Sequence, residues 1–268
     1  MTPQPDHMDS VAWSRILEQG DQFRHWRRWL RLLPSDPRCE LCLAPFSGFG
    51  GRLLRATKGI GPSTLNPRYC NDCELLSAEY PGGAETDVAM LFVDIRGSSA
   101  LAEGMTPAAF SAVIDRFYRV ATEVLIASGA LIEKLIGDEV TAIFARGFAG
   151  PQYVRQAVDT GTRLLASGST PADDGHLGVP VGVGVHSGRA FVGAVGQAGR
   201  LTTISALGDT VNVAARLASR AGPGEMLVSE TAYRAAGLND SGHATRHLEL
   251  KGRTTPVAVR VVTAAHQR

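Results

Sequence analysis

The sequence has no long apolar run, few aromatic residues and almost no net charge. No stretch of its 268 residues approaches the roughly 18 consecutive apolar residues that span a bilayer, so a helical membrane span is excluded. The polar start MTPQPDHMDS lacks the apolar core of a secretory signal, and a cytoplasmic location is the expectation. A net charge of +1 gives no global attraction to nucleic acid or to an anionic membrane. Cysteine is scarce. The four present form two short pairs, Cys39-x-x-Cys42 and Cys70-x-x-Cys73, a spacing that in a reducing compartment favours a metal over disulfides. What remains, 44% hydrophobic and 20% charged residues, reads as a soluble globular chain of one or two domains that can bury a core.

Three parts are expected. In residues 1–33, Trp13, Ile16, Phe23, Trp26, Leu30 and Leu33 recur at helical spacing over 11–33, ended by Pro34 and Pro37. Arg24, Arg27, Arg28 and Arg31 interleave with them. The stripe suits packing on the body or on a second copy; a basic amphipathic helix lying on a membrane surface is the alternative. Residues 34–84 are rich in glycine and proline, read as loops, and need a staple. Two C-x₂-C pairs fit a tetrahedral Cys₄ site, with zinc the first choice and iron or iron–sulfur the alternative. A zinc-ribbon nucleic-acid binder is disfavoured by the neutral charge and the lack of a basic, aromatic-rich strand face.

Residues 85–268 alternate strands and helices. VAMLFVDI (88–95) reads as a buried strand, followed by a helix opened by Thr106-Pro107 and closed by Gly129. ALIEKLIG and DEVTAIFA read as a hairpin around Gly137, and VGVGVHSG with RAFVGAVG as a second hairpin. Helices over 151–167 and from Asp209 to Gly222, then short strands near 225–228, 246–250 and 256–263, complete the order. The fold class is α+β with an antiparallel-rich sheet. Asp94 ends one buried strand and Asp138 tips the next hairpin, so the two can share divalent cations, with loop N–H groups near Gly97 and Ser98 cradling phosphate. The same placement also suits ordinary turn aspartates. His186 reads as a satisfied strand histidine.

The stretches LFVDIRGSSALAE, IEKLIGDEVTAIF, VGVGVHSGRAFVGAVG, ALGDTVNVAARLAS and LELKG resemble, in order, the class III adenylate and guanylate cyclase catalytic domain. The resemblance implies a ferredoxin-like sheet and a homodimer with sites at the subunit interface. It implies two Mg²⁺ or Mn²⁺ ions on Asp94, Asp138 and the Ile95 carbonyl. Asn212 and Arg216 would act on ribose and α-phosphate, sharing a helix face at i, i+4, and Lys251 would grip the terminal phosphates. Lys134 matches the lysine that reads adenine; a donor-only ammonium suits adenine N1 and opposes guanine N1–H. Ser205 stands where many members have aspartate, as in a branch with a hydroxyl there. Ser98 replaces a common phenylalanine, for which a local packing change is expected. The implied activity is conversion of ATP to cyclic AMP and pyrophosphate, in signalling.

Overall fold

A computed structural model describes residues 7–34, 36–172, 175–196, 202–238, 242–250, 253 and 255–263. The chain runs α1 (His7–Gln19), α2 (Asp21–Leu32), α3 (Gly48–Lys58), α4 (Asn71–Glu79), β1 (Gly82–Ile95), α5 (Ser98–Glu103), α6 (Pro107–Ala127), β2 (Leu131–Ile136), β3 (Glu139–Ala145) and α7 (Arg146–Ala149). It continues with α8 (Tyr153–Ser169), β4 (Val181–Gly196), β5 (Thr202–Leu207), α9 (Asp209–Arg220), β6 (Glu225–Ser229), α10 (Glu230–Ala235), β7 (Ala244–Leu248) and β8 (Val257–Thr263). Two compact units result. One comprises residues 1–86, 146–151 and 191–207; the other comprises 87–145, 152–190 and 208–268.

In the first unit, the helix expected over 11–33 is two helices broken at Gly20. A Cβ there would lie 2.5 Å from the Ile16 carbonyl oxygen and 2.8 Å from that of Gly147, so the close approach of α7 requires glycine at the break. Trp13 is buried and its Nε1 donates to the Tyr80 carbonyl at 3.0 Å. Arg27, counted in the sequence as one of a basic set, is 3% exposed. Its guanidinium lies over the Phe148 ring and donates to the Leu41 carbonyl at 2.9 Å. Trp29 and Leu32 are instead exposed.

The segment read as loops over 34–84 carries two helices, α3 and α4. Glycine misled that reading. Gly50 and Gly51 lie within α3, where a Cβ would meet Pro34 O and Phe46 C at 2.6 Å, so they serve close packing and not turns. The expected hairpin between VGVGVHSG and RAFVGAVG is likewise absent: β4 is one strand of 16 residues through Ser187 and Gly188. Gly188 makes room for α9, since a Cβ there would lie 2.8 Å from Thr210 Oγ1. The hairpin partner of β4 is β5, paired from Phe191↔Leu207 to Gly196↔Thr202.

The second unit is built on the strand order β2-β3-β1-β4-β6-β8-β7. β4 and β6 run parallel, whereas β1–β3, β2–β3, β6–β8 and β7–β8 are antiparallel. Helices cover both faces. Val183 pairs with Met226 and Gly184 with Leu227, and successive strand residues face opposite ways. Gly161 of α8 sits against Val183 and Met226, while Gly184 sits under Ala214 and Ala218 of α9. Val213, Leu217 and Ala221 then pack on Leu227, Leu250 and Val259, each large side chain contributing about 1.5–3 kcal/mol by burial. α6 begins at the Thr106 cap, whose hydroxyl accepts the Ala109 N–H at 3.3 Å, and buries Phe117, Val120, Ala121 and Leu125.

Candidate active site and the four-cysteine centre

The last residues of β1 and the first of β3 bring the two aspartates into one place. Asp94 pairs with Glu139 in the ladder, and the Ile95 N–H donates to the Asp138 carbonyl at 3.0 Å. Asp94 is 7% exposed. Its Oδ2 meets the Arg96 guanidinium, and its Oδ1 is buried with no hydrogen-bond partner. A Cβ on Gly182 would fall 3.2 Å from that Oδ1 and 2.9 Å from Arg96 Nε, so only glycine leaves this space open. A buried carboxylate oxygen left without a hydrogen-bond partner suits a divalent cation, and the residues present fit one.

Several further residues in this place were given no role by the sequence. Arg96 donates to the Ala221 carbonyl at 3.2 Å and the Ser219 carbonyl at 3.4 Å, which ties the loop after β1 to the C-terminal end of α9. Burial holds the Arg96 guanidinium below its ordinary value, against the raising effect of Asp138 and Glu139. Burial, with Asp138 beside it, pushes Glu139 up. Tyr118 Oη donates to the Gly137 carbonyl at 2.7 Å, so α6 holds the hairpin tip from below. Arg96 and Glu139 lie within the quoted motifs but their spacing gives them no role, and Tyr118 lies outside those motifs; contact reveals what each does.

Gly97 adopts φ +73° and Ser98 begins α5. Lys134 lies on β2, part-exposed, with its Nζ 3.6 Å from the buried Glu133. Asn212 is exposed and Arg216 half-buried on α9. Among the described residues neither side chain has a hydrogen bond or ion pair. Lys251 lies outside the described residues, as do the first six residues of the N-terminal part. His186 Nδ1 is 2.7 Å from Ser229 Oγ, and burial pushes the imidazole down to about 4. This matches a satisfied strand histidine.

The cysteine centre and Ser205 belong to the first unit. The Cys39, Cys42, Cys70 and Cys73 sulfurs are buried and all lie within 4.8 Å of one another, with Cys42 and Cys70 Sγ 3.6 Å apart. A tetrahedron with bonds of about 2.3 Å has edges of about 3.8 Å. One ion therefore fits the four thiolates better than a cluster that gives each thiolate its own iron. The Cys70 N–H donates to Cys39 Sγ at 3.3 Å. The neighbouring thiols pull Cys39 towards the thiolate and hold Cys42 and Cys73 above the usual thiol range. Burial lowers the Arg27 guanidinium to about 10, opposed by the charge of Cys42, Cys39 and Cys73. Ser205 is 4% exposed on β5, opposite Gly193.

The chain thus has a mixed sheet with helices on both faces and carboxylates at neighbouring strand ends. Residues 82–262 match the adenylate and guanylate cyclase catalytic domain, and the chain belongs to that family. Adenylate cyclase 1 of Rhizobium meliloti (strain 1021) is 33% identical over 182 residues, 65% of this chain and 27% of that protein. The adenylate cyclase of Anabaena cylindrica is 31% identical over 144 residues, 51% of this chain and 28% of that one. The chain thus spans less than a third of the length of these two relatives. Among solved structures, the guanylyl cyclase Cya2 has a TM-score of 0.60 at 24% identity, covering 67% of this chain and 93% of that one. The adenylyl cyclase CyaB from P. aeruginosa has a TM-score of 0.54 at 25% identity, covering 66% and 94%.

Proposed function

We propose that this chain is an adenylate cyclase, converting ATP to 3′,5′-cyclic AMP and pyrophosphate in a homodimer, for signalling. One observation carries the reading: the unpartnered, buried Oδ1 of Asp94, set beside Asp138 by the Ile95–Asp138 hydrogen bond. Asp94, Asp138 and the Ile95 carbonyl would hold two divalent ions, magnesium or manganese, which when bound supply positive charge to the triphosphate and acidify the ribose 3′-hydroxyl.

The chain's own residues then do the following. The loop at Gly97 and Ser98 would present N–H groups to phosphate. Asn212 would hold the ribose while Arg216 offsets charge developing on the α-phosphate, and both side chains stand without partners among the described residues. Lys251 would hold the terminal phosphates. The 3′-oxygen attacks the α-phosphorus, closing the ring, and pyrophosphate leaves. Adenine would be read by Lys134, donating to N1, and by Ser205, accepting from the 6-amino group. Two relatives named adenylate cyclase agree with this base choice.

A homodimer is supported by the exposed apolar Leu135 and Ile136 next to Asp138 on the hairpin, a feature that a second copy would cover. At the cysteine centre the ion is read as a structural zinc. The direct experiment is to incubate purified protein with ATP or GTP and Mg²⁺ or Mn²⁺ and to resolve the products. Cyclic AMP is the expected product. Dominant cyclic GMP overturns the base assignment, and nucleotide binding without any cyclic product overturns the enzyme reading.

A further inference from the structure

We propose that Tyr69 is a positioning residue that links the four-cysteine centre to base recognition. It accepts the Ile204 N–H at 3.2 Å and thereby holds β5, with Ser205, in place. The proposal rests on the cyclase reading, in which Ser205 faces adenine.

Everything this link needs lies in the first unit. β5 pairs with β4, placing Ile204 opposite Ala194 and Ser205 opposite Gly193. Successive amides of a strand point to opposite edges, so with the Ile204 N–H on Tyr69 the Ser205 N–H faces β4. Ile204 is 3% exposed and Tyr69 also 3%. A buried amide at an outer strand edge needs an acceptor, and the Tyr69 hydroxyl is the one it has. At its other end Tyr69 is fastened to the cysteine loops. Its N–H donates to Asn66 O at 3.0 Å, and its carbonyl accepts from Ser63 N at 2.9 Å. The next residue, Cys70, is one of the four sulfur donors and gives its own N–H to Cys39 Sγ. Glu40, next to Cys39, takes the Arg68 guanidinium at 2.8 Å and donates its N–H to the Arg68 carbonyl at 2.9 Å.

The segment 68–70 is thus held by both cysteine pairs, and the Tyr69 side chain carries that position to the residue before Ser205. An ion at the centre fixes the backbone from which the phenol projects. Removing the ion frees that backbone, and the acceptor for Ile204 goes with it. Ser205 then loses the tether that Tyr69 gives its neighbour.

Tyr69→Phe tests the link on the full chain, because it keeps the ring and removes only the acceptor. The measurements are bound zinc by elemental analysis, hydrogen–deuterium exchange of the β5 amides, and steady-state kinetics with ATP and with GTP. The variant is expected to keep its zinc. Its Ile204 amide should exchange about tenfold faster. KM for ATP should rise about threefold or more with kcat little changed, and the preference for ATP over GTP should fall. Stripping zinc from the wild type with a chelator should produce the same loss of preference. Stripping it from Tyr69→Phe should add little, as expected for two changes acting through one link.

Unchanged Ile204 exchange in the variant, or unchanged ATP-over-GTP preference, overturns the proposal. So does a stripped wild type that keeps both β5 protection and base preference. A wild type that turns over neither nucleotide fails the cyclase reading and the base-recognition half with it. Exchange at Ile204 in that inactive chain then still decides whether Tyr69 carries zinc occupancy to β5. Should Tyr69→Phe not fold, the zinc-stripped wild type decides alone.

Discussion

The Ile95 N–H donates to the Asp138 carbonyl at 3.0 Å, fastening the end of one strand, just past Asp94, to the tip of the neighbouring hairpin. The backbones that carry the two carboxylates are thereby held side by side. Asp94→Ala or Asp138→Ala should lower turnover roughly a thousandfold or more with an unchanged circular dichroism spectrum. Each removes a carboxylate that the proposed mechanism assigns to the cations and leaves the backbone bond intact. Near-normal rates in either variant would remove that pair from the mechanism.

Lys134 is part-exposed on β2, with the buried Glu133 as its ion-pair partner. Lys134→Glu should reduce kcat/KM for ATP sharply, on the order of a hundredfold, because under the proposed base reading an acceptor would then face adenine N1. Kinetics on the variant with ATP and GTP check this. Unaltered ATP kinetics would mean that the base is read elsewhere.

The cysteine sulfurs converge on one point. Elemental analysis should find about one zinc per chain, and Cys39→Ser should release it and loosen residues 34–84, seen as faster proteolysis there. A coloured protein carrying iron instead would reassign the ion to a rubredoxin-like site.

Asn212 and Arg216 have no side-chain partners among the described residues, as expected of groups that complete a site in another copy. Asp94→Ala and Arg216→Ala chains should each be nearly inactive. Mixed and allowed to exchange, half the dimers carry one intact site and one doubly damaged site, so about a quarter of wild-type activity should return. Demonstrated exchange with no recovered activity would contradict the shared-site dimer.

His186 sets a pH dependence of folding. Burial lowers its imidazole from 6.5 to about 4, so the unfolded chain binds a proton that the folded chain refuses. Above 6.5 the ring is neutral in both states and contributes no slope. As pH falls from 6.5 towards 4, stability is lost, on the order of 3 kcal/mol in all, and the loss levels off below that. Urea midpoints of the wild type should fall more steeply across this window than those of His186→Gln. Parallel curves would show that the ring titrates normally.

What could be read from the sequence was whatever is local or periodic. The buried strand ending at Asp94, the hairpin around Gly137, the Thr106-Pro107 helix start and the two C-x₂-C pairs all declare themselves within a few residues, because caps, turns and metal knuckles are short-range chemistry. Ordered motifs of the cyclase domain carried the family in the same way. Glycine was the ambiguous letter. Gly50, Gly51 and Gly188 suggested loops and a turn, yet they mark places where another element comes within van der Waals contact. Only the tertiary structure shows which element that is. The same holds for Arg96 on the end of α9, Gly182 against Asp94, Tyr118 under Gly137 and Tyr69 on Ile204. These pairs are separated by 19 to 135 residues, and no local pattern encodes them. Their meeting is decided by how the strands are ordered and how closely the helices pack upon them.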